Sequence, residues 1–276
     1  MTLSRIDLDD VASPAAIAAR IHELAGDLGP AFDLEALCRQ LDIVEITEIV
    51  TSAFEAALIT DANKAAGSIL LAAHRQPERR RFSIGHELGH FLIPSHRPLA
   101  GDPLHCSVDD LHLVDTREKD RRKRIEAEAN RFAATLLMPP RRVRAAMVSR
   151  EPDFREIVQL SKTFAMSKEA MARTYVDASR QTIAVIILQH GKIRRVYRGD
   201  RDFPRIAPWI GQAAPEGSIA CSNHLQPGDF SESEECELDI WLDPGAAAGV
   251  EVLTEQVLGQ AKGFAMVLLH AELVEN

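Results

Sequence analysis

Residues 82–93 read Phe82-Ser83-Ile84-Gly85-His86-Glu87-Leu88-Gly89-His90-Phe91-Leu92-Ile93. Ile84, Leu88, Phe91 and Leu92 recur at i, i+4, i+7 and i+8, the period of a helix that buries one apolar stripe. Pro94 stops this helix soon after. His86 and His90 stand four apart on a different face from the stripe, close enough for two imidazoles to hold a single zinc ion. Glu87 lies between them, where a carboxylate can take a proton from water activated by such an ion. The competing reading is a pair of packed histidines without metal. Packing histidines, however, more often sit within the apolar stripe, satisfied by a backbone carbonyl.

A catalytic zinc needs a third protein ligand and an open position. The best placed carboxylate lies in Ile125-Glu126-Ala127-Glu128-Ala129-Asn130-Arg131-Phe132-Ala133-Ala134-Thr135-Leu136-Leu137-Met138-Pro139. Ile125, Ala129, Phe132, Ala133 and Leu136 make one helical stripe, and Glu126 and Asn130 sit i, i+4 on a neighbouring face. That pattern suits a carboxylate on the metal, with an amide one turn later able to hydrogen-bond a ligand histidine. Glu128 is expected to turn to another face, toward solvent. The competing reading of Glu126 is an ordinary surface glutamate.

Together the two stretches resemble the signatures of the ImmA/IrrE family of bacterial zinc metallopeptidases, which are gluzincin-like. The matching residues are Arg81-Phe82-Ser83-Ile84-Gly85-His86-Glu87-Leu88-Gly89-His90-Phe91, and Glu126, Ala129, Asn130, Phe132 and Leu137-Met138-Pro139. The similarity extends to Asp33–Ile43 and, more weakly, to 167–173, 255–258 and 263–269. The resemblance implies a zincin-like domain in which His86, His90 and Glu126 are zinc ligands and Glu87 is the general base. It implies an endopeptidase that makes a selective cut in a helix-turn-helix transcriptional repressor, relieving repression in a stress or mobile-element response. The departure is a long segment, 96–120, holding His96, His105, Cys106 and His112. No oxyanion donor is visible in the sequence. Manganese or iron could occupy the same two-histidine, one-carboxylate set.

Composition frames the rest. The 276 residues are 46% hydrophobic and 26% charged, as in ordinary globular proteins, and are enough for one large or two smaller domains. No apolar run is long enough to cross a bilayer, and the N-terminus lacks a signal peptide's apolar core, so a cytoplasmic location is expected. Cys38, Cys106, Cys221 and Cys236 show no C-x-x-C spacing and read as reduced thiols. His105 and Cys106 lack a partner motif and read as chance neighbours in a flexible loop.

Charge is uneven. Residues 181–276 carry 7 Lys or Arg against 14 Asp or Glu, whereas 150–180 carry 6 against 5. The acidic C-terminal part argues against direct DNA binding, because phosphate neutralisation needs positive surface. Three basic clusters, Arg79–Arg81, Arg121–Arg124 and Arg141-Arg142 with Arg144, read either as solvated helix faces, the favoured reading, or as a positive rim that steers a partner.

Three parts are expected, α+β in class. The first, 1–148, is the metallopeptidase domain of helices with a small mixed sheet. Ser13-Pro14 opens a helix that ends by Gly26, and Asp33 caps the next. Ala56–Thr60 and Ser68–Ala73 read as strands around an Asp61–Gly67 turn. Ser68, Ile69, Leu70 and Leu71 are the candidate edge strand for an extended substrate, with an interior strand the equal alternative. The second part, 149–180, is a helix-turn-helix-like linker of two helices, 154–164 and 167–176, more suited to packing than to reading bases. The third, 181–276, is mixed α+β, opening with a hairpin around His190-Gly191 and containing an acidic strand, Cys236–Asp243. By family analogy it is a GAF-like sensory module that would take a small-molecule ligand. Trp209 and Trp241 read as core residues. A zinc-stabilised regulator that binds without cutting, its fourth ligand drawn from His96, His105, Cys106 or His112, is the alternative function. A third is DNA binding by 150–180.

Overall fold

The computed structural model describes residues 3–26, 28–96, 120–199, 203–222 and 225–274, with the backbone of strand 104–106. Its contacts divide the chain into two compact units. One is Met1–Pro139 with Thr163–Ser167; the other is Pro140–Lys162 with Lys168–Asn276.

The first unit opens with α1 (Pro14–Ala25), α2 (Leu34–Gln40), β1 (Ile43–Ile49), β2 (Ala56–Thr60), β3 (Gly67–Ala72) and α3 (Pro77–Leu92). It continues with β4 (Leu104–Cys106) and α4 (Arg121–Leu137). The caps follow the sequence: Ser13 Oγ accepts from Ala16 N at 3.2 Å and Asp33 Oδ1 from Ala36 N at 2.9 Å. The Asp61–Gly67 turn forms around Asp61 Oδ1, which accepts from the backbone N–H of Asn63 and Ala65.

The sheet order is β1-β3-β2-β4, with β1 parallel to β3 and the other pairs antiparallel. This corrects the expected substrate-binding edge. Ser68, Ile69, Leu70 and Leu71 lie on β3, whose two sides are both taken up, by β1 and by β2. A strand with both ladders filled has no backbone groups left to pair with a peptide. The outer strands are β1 and β4.

Helix α3 packs against β2 and β3 on one side and α4 on the other. Consequently every residue from Ser83 to Phe91 is buried, histidines included, and not only the apolar stripe. Glycine makes this close approach possible. A Cβ on Gly89 would come within 2.9 Å of Phe132 Cδ1, and one on Gly85 within 3.1 Å of Leu137 Cδ1. Helix α1 covers α4 in turn, with His22 Nε2 2.8 Å from the Leu136 carbonyl oxygen.

The second unit holds α5 (Pro140–Ala146), α6 (Phe154–Thr163), α7 (Lys168–Ala178), β5 (Thr182–Gln189) and β6 (Lys192–Arg198). Then come α8 (Ile219–Ser222), β7 (Glu234–Glu235), α9 (Leu238–Trp241), α10 (Pro244–Ala247), β8 (Val250–Gly259) and β9 (Phe264–Leu273). The β5–β6 hairpin turns at His190 and Gly191, with φ of 50° and 71°, as a two-residue turn of positive φ requires. The antiparallel sheet runs β6-β5-β9-β8-β7.

Residues 140–162 and 168–180 cluster with this sheet, and 163–167 with the first unit. Helix α7 packs on β5 and β6, and its Glu169 Oε1 accepts from Arg195 Nη1 at 3.0 Å and Tyr197 OH at 2.7 Å. Of the expected strand Cys236–Asp243, Leu238–Trp241 form the short helix α9; the short strand that pairs with β8 here is Glu234–Glu235, followed by Cys236 N donating to the Leu253 carbonyl at 2.9 Å. The helical turn lets Trp241 enter the core, fully buried, and donate its indole N–H to Glu255 Oε2 at 3.0 Å. Trp209, by contrast, is 67% exposed and is not a core residue. Cys38, Cys221 and Cys236 are free thiols. No helix among the described residues is long and apolar enough to cross a membrane.

Candidate metal centre

The i, i+4 spacing on α3 points His86 and His90 at α4, and the same spacing on α4 points Glu126 and Asn130 back at them. His86 Nε2 lies 3.1 Å from Glu126 Oε2, His90 Nε2 lies 3.4 Å from the same oxygen, and the two Nε2 atoms are 3.0 Å apart. A tetrahedral zinc with bonds of roughly 2.0–2.1 Å spaces its ligand atoms by about 3.3 Å. The three atoms therefore already form one face of such a tetrahedron. Among the described residues they are the group that could hold a metal ion, and all three side chains are buried.

Electrostatics requires a positive charge there. His86 Nδ1 is 2.8 Å from Asn130 Oδ1, so this nitrogen carries the ring proton and leaves a lone pair on Nε2. Burial works against the ionised form of Glu126, but hydrogen bonding and charge from His86 and His90, which need a proton or a cation shared among the three groups, outweigh it and hold its carboxyl well below the usual range. Burial pushes His90 below the ordinary imidazole range, favouring the neutral form that a metal needs. A buried carboxylate facing two imidazole nitrogens is balanced by a proton among them or by a cation.

Glu87 is different. It is fully buried and neither carboxylate oxygen has a hydrogen-bond partner among the described residues. Burial, with Glu126 adding to it and His86 opposing it, raises its pKa from 4.5 to about 8. A carboxylate of that basicity, next to a three-donor cluster, is matched to accepting and returning protons near neutral pH.

Two residues behave otherwise than expected. Glu128 does not turn away to solvent: its Oε2 lies 2.9 Å from His96 Nε2, with the side chain 22% exposed. His96, one of the candidates for a fourth ligand, is buried behind His90, with Nδ1 3.1 Å from His90 Nδ1 and not among the three clustered atoms. The side chains of His105 and Cys106, and His112, lie outside the described residues. Of the basic clusters, Arg79–Arg81 is neither a solvated face nor a free rim. Arg79 pairs with buried Glu55, Arg80 with Glu35 and Glu48, and Arg81 donates to the Phe32 carbonyl while stacking on its ring.

A buried histidine–histidine–glutamate cluster on two packed helices, with a glutamate beside it that has no hydrogen-bond partner among the described residues, could hold a metal ion and move a proton next to it. Residues 41–175 match the IrrE N-terminal-like domain, Peptidase M78. This segment is therefore similar to the ImmA/IrrE metallopeptidases. It is 31% identical over 176 residues to the radiation response metalloprotease IrrE of Deinococcus deserti, covering 62% of this chain and 57% of that protein's length. A transcriptional regulator of Mycobacterium tuberculosis shares the fold, with a TM-score of 0.54 and 13% identity over 97% of this chain and 80% of the other.

Proposed function

We propose that this protein is a zinc-dependent endopeptidase that makes one selective cut in a helix-turn-helix repressor, relieving repression under stress or on a mobile-element signal. The observation that carries the enzymatic part is the three-atom cluster of His86, His90 and Glu126 with an orphaned, basic Glu87 beside it. The donor set, two imidazoles and one carboxylate, suits zinc, and three protein ligands leave a position open, as in catalytic rather than structural sites. When bound, zinc would make water acidic enough to ionise near neutral pH and would polarise the scissile carbonyl. Glu87 takes the proton of the attacking water and passes it to the leaving amine, so that peptide becomes carboxylate and free amine. Asn130 holds the His86 ring in place from behind.

The regulatory substrate rests on the family and on the relative whose name joins a metalloprotease to a radiation response. Direct DNA binding is disfavoured: 150–180 is nearly neutral and α7 is engaged by Arg195 and Tyr197. A sensory role for 181–276 is part of the same proposal, and an open depression of about 520 Å³ lined by Ala207, Pro208, Gln212, Ala213, Pro215 and Ile240 is where a ligand would be sought.

The test is co-incubation of wild type and Glu87→Gln with repressors encoded nearby, with and without zinc. Discrete cleavage by the wild type alone supports the peptidase, and mass spectrometry then gives the cut site. Tight repressor binding by both proteins without cleavage would replace it with a regulator that acts by binding.

A further inference from the structure

His86 and His90 are held by different means. His86 has Asn130 directly behind it. Behind His90 stands another histidine. Pro94-Ser95 turns the chain at the end of α3, with His96 N donating to the Ile93 carbonyl at 3.1 Å, and the turn tucks the His96 ring under His90. Lys64, at the β2–β3 turn, pins this corner: its Nζ donates to the carbonyl oxygens of His90 at 2.7 Å and Ile93 at 2.9 Å. The His96 side chain is fully buried, and its two nitrogens face two different groups.

The order of protons along this line follows from chemistry. Glu128 is an acceptor, so His96 presents an Nε2–H to it at 2.9 Å. The neutral ring then has a lone pair on Nδ1, which can only accept from His90 Nδ1 at 3.1 Å. His90 consequently carries its proton on Nδ1 and turns a bare Nε2 toward Glu126 and His86.

We infer that His96 and Glu128 are positioning residues, a relay that fixes both the ring orientation of His90 and the nitrogen it offers to a metal. This rests on the metal-centre reading above. Helix α4 thus supplies one ligand, Glu126, and both orienting groups: Asn130 acts directly on His86, and Glu128 acts through His96 on His90. A histidine ligand whose other nitrogen loses its acceptor is free to rotate and to place its proton on the metal side, and such losses weaken metal binding about 10–100-fold.

The test uses the purified full chain, stripped of metal and labelled with nitrogen-15 histidine, as wild type, His96→Phe, Glu128→Ala and Glu128→Gln. Histidine tautomers are read by NMR, zinc affinity by competition with a chelator, and folding by circular dichroism. The expected wild type has His90 protonated on Nδ1 and His96 on Nε2. His96→Phe and Glu128→Ala should mix the His90 tautomers and weaken zinc binding about 10–100-fold with the fold intact. Glu128→Gln, whose amide oxygen still accepts from His96, should restore most of the affinity. A wild-type His90 protonated on Nε2, or unchanged zinc affinity in both disabling variants, overturns the relay. Should the wild type take up no zinc, the metal-centre reading falls, while the tautomers still decide the relay. Should His96→Phe fail to fold, the partly exposed Glu128 position decides it.

Discussion

Gly89 and Phe132 pack against each other between the two helices of the site, and a Cβ on Gly89 would stand 2.9 Å from Phe132 Cδ1 and 3.3 Å from the Ala129 carbonyl oxygen. His90 follows Gly89 directly, and Glu126 lies on the same helix as Phe132. At an exposed helical position Gly→Ala stabilises by about 1 kcal/mol. Here the clash should reverse the sign. Gly89→Ala is expected to destabilise by about 1–3 kcal/mol and to weaken zinc binding by pushing α4 outward. Thermal unfolding and a zinc titration check it; a variant more stable than wild type would show that the helices have room to spare.

Metal should stabilise the fold. Zinc binds the folded cluster, and a ligand at a hundredfold excess over its Kd adds about 2.7 kcal/mol. Added zinc is expected to raise the Tm and a chelator to reverse it. His90→Ala and Glu126→Ala should unfold at the same temperature with zinc or chelator, because each removes a ligand atom.

Glu87 predicts a split between metal and turnover. Glu87→Gln keeps all three ligand atoms, so zinc uptake should persist while cleavage falls by a factor of at least about 100. Retained cleavage would remove Glu87 from the role of base.

Glu87 also predicts a pH dependence of stability in the metal-free protein. Its pKa is raised on folding from 4.5 to about 8. Below pH 4.5 the group is protonated in both states. Between 4.5 and 8 the unfolded chain ionises while the folded protein keeps its proton, so stability falls as pH rises, and above about 8 the loss is complete. Metal-free Glu87→Gln should therefore outlast metal-free wild type by a margin that grows across this window, on the order of 10 °C by pH 8. Calorimetry at pH 5, 6, 7 and 8 measures the margin, and parallel curves would contradict it.

The two tryptophans offer a probe of the second unit. Trp241 is fully buried against Glu255, and Trp209 is 67% exposed. Trp209→Phe is expected to leave a blue-shifted emission shielded from acrylamide, and Trp241→Ala a red-shifted, quenchable one with about 3–5 kcal/mol lost from folding. A quenchable signal from Trp241 alone would contradict its burial.

What could be read locally was read from the sequence. Ser13 and Asp33 start helices because a side-chain oxygen reaches an N–H three residues away, and His190-Gly191 turns a hairpin because both residues take positive φ. The i, i+4 pairs His86/His90 and Glu126/Asn130 face one way because helical periodicity leaves no other choice. What the chain does at longer range was decided by packing. Nothing in Ser68–Leu71 tells an edge strand from an interior one, because strands pair through backbone groups that every residue carries, and β1 skips β2 in sequence to pair with β3. Leu238–Trp241 alternates like a strand, yet it coils so that Trp241 can fill the core and reach Glu255. Glu128 looks like a surface residue until a turn 32 residues earlier sets His96 against it. The sequence by itself determined which side chains could bind a metal and move a proton; only the tertiary structure decided which others hold them in place, because those contacts depend on where separate elements come to rest against each other.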